Sequence, residues 1–525
     1  MVVDDPADTV EVEAETDKIS GLPDDVLLDI LGRLVTAGDA RAVARTSTLS
    51  RRWRSLPWPD IHTVFLDVGN FLRSDGDEPP PRQHARRRKR RRPVWKQNQH
   101  DATAALTGAL ARFLAAPASR RVVGTLRLRL ILTRRGYVRR IGELVGAAAA
   151  TGAVRGVELE LAAETEARAA PCYGERFGQF RRDCPGAFRS LTKLTLRGLW
   201  FHDMAELNGL VRGCDALAFL SLTSCGVAFP KPSLPPAMDG GGEATRRPAL
   251  TIDAPWSRVQ VLLCDLCHFG GVELVQAPAL AGLRYRADVL EGFDSAAISI
   301  GCAPSLKCLY ISQHQGEESS VRLKLTELLA NVGGQLERLI LAFQNGKIWL
   351  QPGCSKQLRA ALRGLKYLNL TNISPGCDLS WATFLLEAAP FLEILAIDIC
   401  NHICLNTWHQ KGDEDASLVA WEQPSSDFRH HHLKQLYFKR AFHVEKDLLF
   451  ARLVMGLAVN LQAVTLGVKS LQCPGCIDAQ RKYPDLTRSR LRFTEGSEYV
   501  DAFVKELMDG IATSAKITLL LSDLV

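Results

Sequence analysis

The residues of this chain best suited to chemistry are its thiols and imidazoles. Cys264-x-x-Cys267-His268 and Cys473-Pro-Gly-Cys476 have the spacing of metal-ligand pairs, and Cys400, His402 and Cys404 lie close together. A structural zinc ion needs four soft ligands converging tetrahedrally. The Cys473/Cys476 pair has no second pair at a fitting distance, and the histidine nearest to it in sequence is His443. His430-His431-His432 reads as a solvated loop ahead of a strand. No glycine-rich phosphate loop is present, and no Lys-Ser/Thr pair follows Gly240 to Gly242. Gly-x-Ser-x-Gly and His-Glu-x-x-His are also missing. No set of residues with complementary roles in a reaction emerges, so the expectation is a protein that is not an enzyme and needs no metal or cofactor.

The elements that must position these side chains come from a repeat. The phrase is apolar-x-x-apolar-x-apolar, with a helical stretch before it. It occurs at Val123/Leu126/Leu128, Val154/Val157/Leu159, Leu191/Leu194/Leu196 and Leu217/Leu220/Leu222. It returns at Val259/Leu262/Cys264, Leu280/Leu283/Tyr285, Leu306/Leu309/Ile311 and Leu336/Leu339/Leu341. Leu365/Leu368/Leu370, Leu392/Leu395/Ile397, Leu433/Leu436/Phe438 and Leu461/Val464/Leu466 complete the series. From Leu191 on, most copies are roughly 21 to 30 residues apart, and the wider gaps enclose polar insertions, 229–247 and 410–427. This is the leucine-rich-repeat signature. Alternate apolar residues of a short strand face one core, and no single repeat can bury that face alone. The expected fold class is α/β: an irregular solenoid of short parallel strands with outer helices, such as Leu325 to Val332 and the run from Trp381 to Pro390. Cys225, Cys267 and Cys400 each fall eight residues after the first apolar residue of their repeat, where such repeats place Asn or Cys to bond the turn backbone. Cys264 replaces an inward leucine.

With 525 residues, 46% hydrophobic and 23% charged, the chain has the composition of a soluble globular protein with more than one domain. The sequence shows no signal peptide and no run of roughly 18 apolar residues, and its 14 cysteines read as free thiols in a reducing interior, nucleus or cytoplasm. The net charge of +7 is unevenly placed. Residues 1–18 hold Asp4, Asp5, Asp8, Glu11, Glu13, Glu15 and Asp17 and read as a disordered acidic tail. Residues 75–100 read as a disordered Pro/Arg linker carrying Arg86, Arg87, Arg88, Lys89, Arg90, Arg91 and Arg92. That block resembles a nuclear-import signal; a solvated, self-repelling linker is the equal alternative, and phosphate contact is third because no aromatic platform is interleaved.

Residues 19–60 read as three short helices. Pro23 suits a first helical turn, and Asp24 and Asp25 meet the positive end of the helix dipole. Leu22, Val26, Leu27, Ile30, Leu31 and Leu34 then recur at helical spacing. Asp39 caps a second helix, and a third carries Leu49, Trp53 and Leu56 at i, i+4, i+7. A unit of about 40 residues without cysteine is too small to bury this surface alone, so its leucines and tryptophan need a partner.

LPDDVLLDILGRL followed by ARTSTLSRRWRSL resembles the F-box of plant F-box proteins. The resemblance implies that the helices dock on a Skp-type adaptor, which links the chain to a cullin–RING ubiquitin ligase. Carried over by position, Leu22, Pro23, Val26, Ile30, Leu31, Leu34, Leu49 and Trp53 form or support that docking surface. HLKQLYFKRAF and FARLVMGLAVNLQAVTLG, within 428–525, are similar to the FBD region near the C-terminus of many such proteins. The implied division is a tail at 1–18, the F-box at 19–60, a first strand at 61–74, the linker at 75–100, the solenoid at 101–427 and FBD-like repeats at 428–525. The function implied is the substrate-recognition subunit of an SCF-type ligase. Its target would lie on the strand side of the solenoid, at Lys193, Arg284, Lys307, Glu337, Arg338, Lys366, Glu393 and Lys434. The alternative is a repeat scaffold outside any ligase, touching nucleic acid through the basic linker.

Overall fold

The structure, a computed structural model, describes residues 21–36, 52, 61–72, 94–115, 122–132, 135–163, 172–228, 248–287, 297–314, 323–346, 348–351, 354–373, 377–399, 425, 427–439, 445–467 and 504–520. The chain divides into two units, Met1–Leu159 and Glu160–Val525.

In the first unit a helix spans Asp24–Thr36 and is followed by β1 (Ile61–Asp67). A helix over Val94–Ala115, β2 (Val123–Leu132), a helix over Arg135–Ala150 and β3 (Val154–Ala163) complete it, with the division falling inside β3. β1 pairs in parallel with β2, Val64 opposite Leu126 and Leu66 opposite Leu128, and all four side chains are buried. The helix from Val94 begins inside the stretch 75–100 that the sequence reads as linker. Its reason is an apolar stripe: Ala102, Leu106 and Leu110 recur at i, i+4, i+8 and are buried. Thr103 and Thr107 share that burial by donating their hydroxyls to the carbonyls of Gln99 and Thr103, at 2.8 and 2.7 Å.

In the second unit the strands are β4 (Leu191–Arg197), β5 (Trp200–Phe201), β6 (Phe219–Thr223), β7 (Gly226–Val227), β8 (Leu250–Asp253), β9 (Val261–Cys267) and β10 (Gly271–Gln276). They continue with β11 (Gly282–Ala287), β12 (Ala297–Cys302), β13 (Cys308–His314), β14 (Arg338–Gly346), β15 (Tyr367–Ile373) and β16 (Ile394–Ile399). The last are β17 (Gln435–Lys439), β18 (Ala463–Gly467) and β19 (Lys516–Leu520). β4, β6, β9, β11, β13, β14, β15, β16, β17, β18 and β19 are neighbours in that order, in parallel ladders. Each apolar phrase from Leu191 to Leu466 falls on one of them, which is the mixed α/β, solenoid-like arrangement the spacing predicts. Leu306, Leu336, Leu365, Leu392 and Leu433, each two residues ahead of its strand, are fully buried. β19 was not legible as a copy, because Ser514 stands where the phrase has its first leucine; Ile517 and Leu519 nevertheless pair with Val464 and Leu466.

The outer layer departs from the expected helices. Helices occur at Ala205–Arg212, Ser355–Leu362, Thr383–Ala388 and Glu445–Leu457. Between Leu250 and Cys302 the outer segments are strands instead, paired in parallel in the order β12-β10-β8. Their sequences explain this: Leu250 and Ile252, Val272 and Leu274, and Ile298 and Ile300 bury at alternate positions, a period of two rather than 3.6. The helix expected from Leu325 to Val332 covers only Leu325–Leu328, and Gly334 turns the chain at φ +70°. Among the described residues no helix is long and apolar enough to cross a membrane.

Candidate docking surfaces

The helix Asp24–Thr36 splits its apolar stripe into two. Leu27 and Leu31 are buried, and Leu22, Leu28 and Ile30 pack against them. Val26 is 38% exposed, Pro23 is exposed, and Leu22, Ile30 and Leu34 are half-buried. Leu31 therefore belongs beneath the surface it was assigned to, holding the helix in place, while Leu22, Pro23, Val26, Ile30 and Leu34 face outward in whole or in part. The helix starts at Asp24, with the Pro23 carbonyl accepting from the Leu27 N–H at 3.1 Å. Asp29 and Arg33 pair at i, i+4 across 2.9 Å.

Sequence reasoning missed Arg52. Its guanidinium donates to the Asp24 carboxylate at 2.6 and 2.8 Å and to the Leu22 carbonyl at 2.7 Å. It therefore joins the two halves of the motif, which are 28 to 30 residues apart in sequence, at the mouth of the helix. The signal was present, since an arginine and an N-terminal aspartate are natural partners, but their register is set by tertiary structure. Leu49, Trp53 and the run Arg86 to Arg92 lie outside the described residues, as do Cys400, His402, Cys404, Cys473 and Cys476.

In the second unit the solvent side of the sheet is ruled by rows. One row runs through the residues that follow the first leucine of each repeat. The N–H of Glu337, Lys366, Glu393 and Lys434 each donates to the carbonyl of the row member before it, starting from Lys307, at 2.8 to 3.0 Å. Along this row the charges alternate. Lys307 pairs with Glu337 at 3.8 Å and Lys434 with Glu393 at 3.0 Å. Five of the expected target-contact residues, Lys307, Glu337, Lys366, Glu393 and Lys434, thus sit in a self-compensating line, one just ahead of each of successive strands about 4.8 Å apart.

The rows farther along the strands mix aromatic and cationic groups. Lys193 lies over the Phe219 ring at 4.6 Å, Arg284 over Tyr310 at 4.7 Å and Arg338 over Tyr367 at 4.9 Å, each cation over the ring of a neighbouring strand. Arg284 also pairs with Asp265 at 3.0 Å. Burial raises the Tyr367 phenol above its usual pKa while Arg338 beside it pulls it down. The face can therefore offer fixed cations, phenol donors and half-buried rings to a partner.

The thiols and imidazoles have structural places. The Cys225 thiol faces the carbonyls of Leu196 and Thr223 at 3.5 Å, and Cys267 faces those of Leu222 and Asp265 at 3.4 and 3.6 Å. This is the turn-bonding position the repeat predicts. Burial pushes Cys225 up to about 11 and Cys267 well above its usual value, so each keeps its S–H as a donor at neutral pH. Cys264 is fully buried in a leucine position. His268 stacks on Trp200, centroids 4.9 Å apart.

His430 overturns the reading of the histidine run as a solvated loop. It is 2% exposed. Its Nδ1 accepts from the N–H of Leu433 at 3.0 Å and of His432 at 3.3 Å, and its Nε2 meets the Ala389 carbonyl at 3.0 Å. One imidazole therefore ties the turn before β17 to the turn before β16. The signal was masked because its neighbours His431 and His432 are exposed, as a loop would be.

No protein-family model matches the chain. A stretch of 66 residues is 46% identical to the meiotic F-box protein MOF of Oryza sativa subsp. japonica. The similarity covers 13% of this chain and 13% of that protein. It supports an F-box protein.

Proposed function

We propose that the chain is the substrate-recruiting subunit of an SCF-type ubiquitin ligase. The observation that carries this reading is the 66-residue similarity to a rice F-box protein. An amphipathic helix that leaves Val26 and Pro23 exposed after burying Leu27 and Leu31 agrees with it. In this reading residues 19–60 complete a three-helix F-box and hold a Skp-type adaptor through Leu22, Pro23, Val26, Ile30 and Leu34, with Leu49 and Trp53 contributing from the third helix. The parallel strands form a leucine-rich-repeat solenoid, and the C-terminal repeats an FBD-like region. The solenoid holds a target protein on its strand side. The chain catalyses nothing itself; it raises the local concentration of target beside a charged ubiquitin-conjugating enzyme, turning a bimolecular step into a nearly intramolecular one. In this reading the basic run Arg86 to Arg92 is a nuclear-import signal or a solvated linker, and the chain works in the nucleus, the cytoplasm or both.

Co-purification with a Skp-type adaptor tests this. Wild type should co-elute with the adaptor, and both Leu22→Ala/Pro23→Ala and Val26→Asp should lose it while keeping the wild-type melting transition. Failure of folded wild type to hold any of several such adaptors would refute the reading.

A further inference from the structure

The strand side of the second unit is not uniform in charge, and its centre has a geometry of its own. On β13, Cys308 and Tyr310 are half-buried while Leu309, Ile311 and Ser312 are buried. Arg338 on β14 stands opposite Cys308, two residues before Tyr310. Arg286 on β11 stands opposite Ser312, two residues after it. The three residues Arg338, Tyr310 and Arg286 therefore lie on one diagonal of the sheet, one strand and two residues apart at each step. With strands about 4.8 Å apart and a rise of about 3.3 Å per residue, each step is about 8 Å and the diagonal about 16 Å.

Arg286 and Arg338 have no carboxylate partner among the described residues, unlike Arg284, which Asp265 neutralises. Arg338 lies over the Tyr367 ring, and Tyr310 carries Arg284 on its ring. Ile340, half-buried beside Tyr310, extends the apolar centre. These two arginines, on backbone positions fixed by the strand register, bracket Tyr310 and Ile340 and form a template whose length the register sets.

We propose that this diagonal binds an extended acidic segment of the target protein, with two carboxylates four residues apart and an apolar side chain midway between them. Residues i, i+2 and i+4 of an extended chain share one face and span about 13 Å, and the reach of the carboxylate and guanidinium side chains covers the rest of the diagonal. Each carboxylate meets one guanidinium in the planar, two-point geometry that arginine favours. The apolar residue settles on Ile340, beside the Tyr310 ring that carries Arg284. The middle of the diagonal offers Ile340 and the edge of Tyr310 rather than a further unpaired cation, which suits a peptide side chain and not a continuous run of phosphates. The inference rests on the reading that the strand side holds the target.

The test is selection of short random peptides displayed against the full chain, followed by titration of a labelled selected peptide. Selected peptides should carry Asp or Glu four residues apart with an apolar residue midway between. Arg286→Glu and Arg338→Glu should each weaken binding about tenfold, and Lys516→Glu on the same face should leave it unchanged. Adaptor co-elution, measured on the same variants, should stay at the wild-type level, which separates failure of this site from failure of the ligase reading. Selection of no peptide, selection of peptides without the acidic pair, binding insensitive to both reversals, or displacement by a single-stranded oligonucleotide in place of the acidic peptide would each overturn the proposal.

Discussion

At the scale of single residues the structure assigns polar groups to the seams between repeats. His430 is one such seam: its Nδ1 can accept from two backbone N–H groups only when it carries no proton, so the bonded tautomer is the neutral one with hydrogen on Nε2. Replacing it with alanine removes the acceptor for those groups and should destabilise the fold by about 2–4 kcal/mol, read from denaturant unfolding. Burial also pulls its pKa below the usual value. In the unfolded chain the imidazole titrates near about 6.5. Below that pH the unfolded state takes up a proton that folded His430 refuses. Its contribution to stability is therefore full above about pH 6.5 and falls as the pH drops toward the folded pKa. The wild-type melting temperature should fall more steeply over this window than that of His430→Asn; parallel curves would refute the assignment. Gly198 makes the same point for the backbone. It turns the chain after β4 at φ +67°, the position that Ser224 fills just after β6, and Leu266 and Asn372 next to the last residues of β9 and β15, at φ 51°, 52° and 59°. Gly198→Ala should cost about 1 kcal/mol from conformation alone, since a Cβ there meets only Ala163 at 3.6 Å.

Elements follow from the register of the apolar phrase. The strands were legible because Leu, Val and Ile at fixed spacing have one physical use, a shared core, and because many copies agree. The outer segments were less legible. β8, β10 and β12 are short enough that alternation and helical spacing give similar apolar counts, and only stacking on one another decides between them. β19 shows the opposite failure, a strand whose phrase is broken by one serine yet which pairs because β18 offers it an edge. The charged row Lys307–Glu337–Lys366–Glu393–Lys434 was legible as residues but not as a row, since its order is a property of stacking. Lys366→Glu would put like charges side by side along it and should lower the melting temperature at low salt, with the deficit shrinking at high salt. At the core of the same strands, Leu339→Ala should cost about 2–5 kcal/mol, because the buried side chain leaves a cavity that its stacked neighbours cannot close.

For the whole molecule, sequence and structure meet at two surfaces with different chemistry. The helix Asp24–Thr36 offers an apolar patch around Val26, with Leu27 and Leu31 beneath it and Arg52 fastening its start. Here the sequence was partly legible: helical spacing identified the stripe but could not tell Leu31, which faces in, from Val26, which faces out. The strand side offers cations and rings, whose pairing needed the strand register. A subunit that recruits should keep these surfaces independent, so a substitution on one should leave binding at the other intact.

Calorimetric titration of the purified chain with a purified Skp-type adaptor, at low and at high salt, tests the central claim most directly. An apolar contact through Val26 and its neighbours predicts one-to-one binding that high salt leaves nearly unchanged and Val26→Asp abolishes. Absence of binding by the folded chain, or binding that high salt removes and Val26→Asp does not affect, would contradict it.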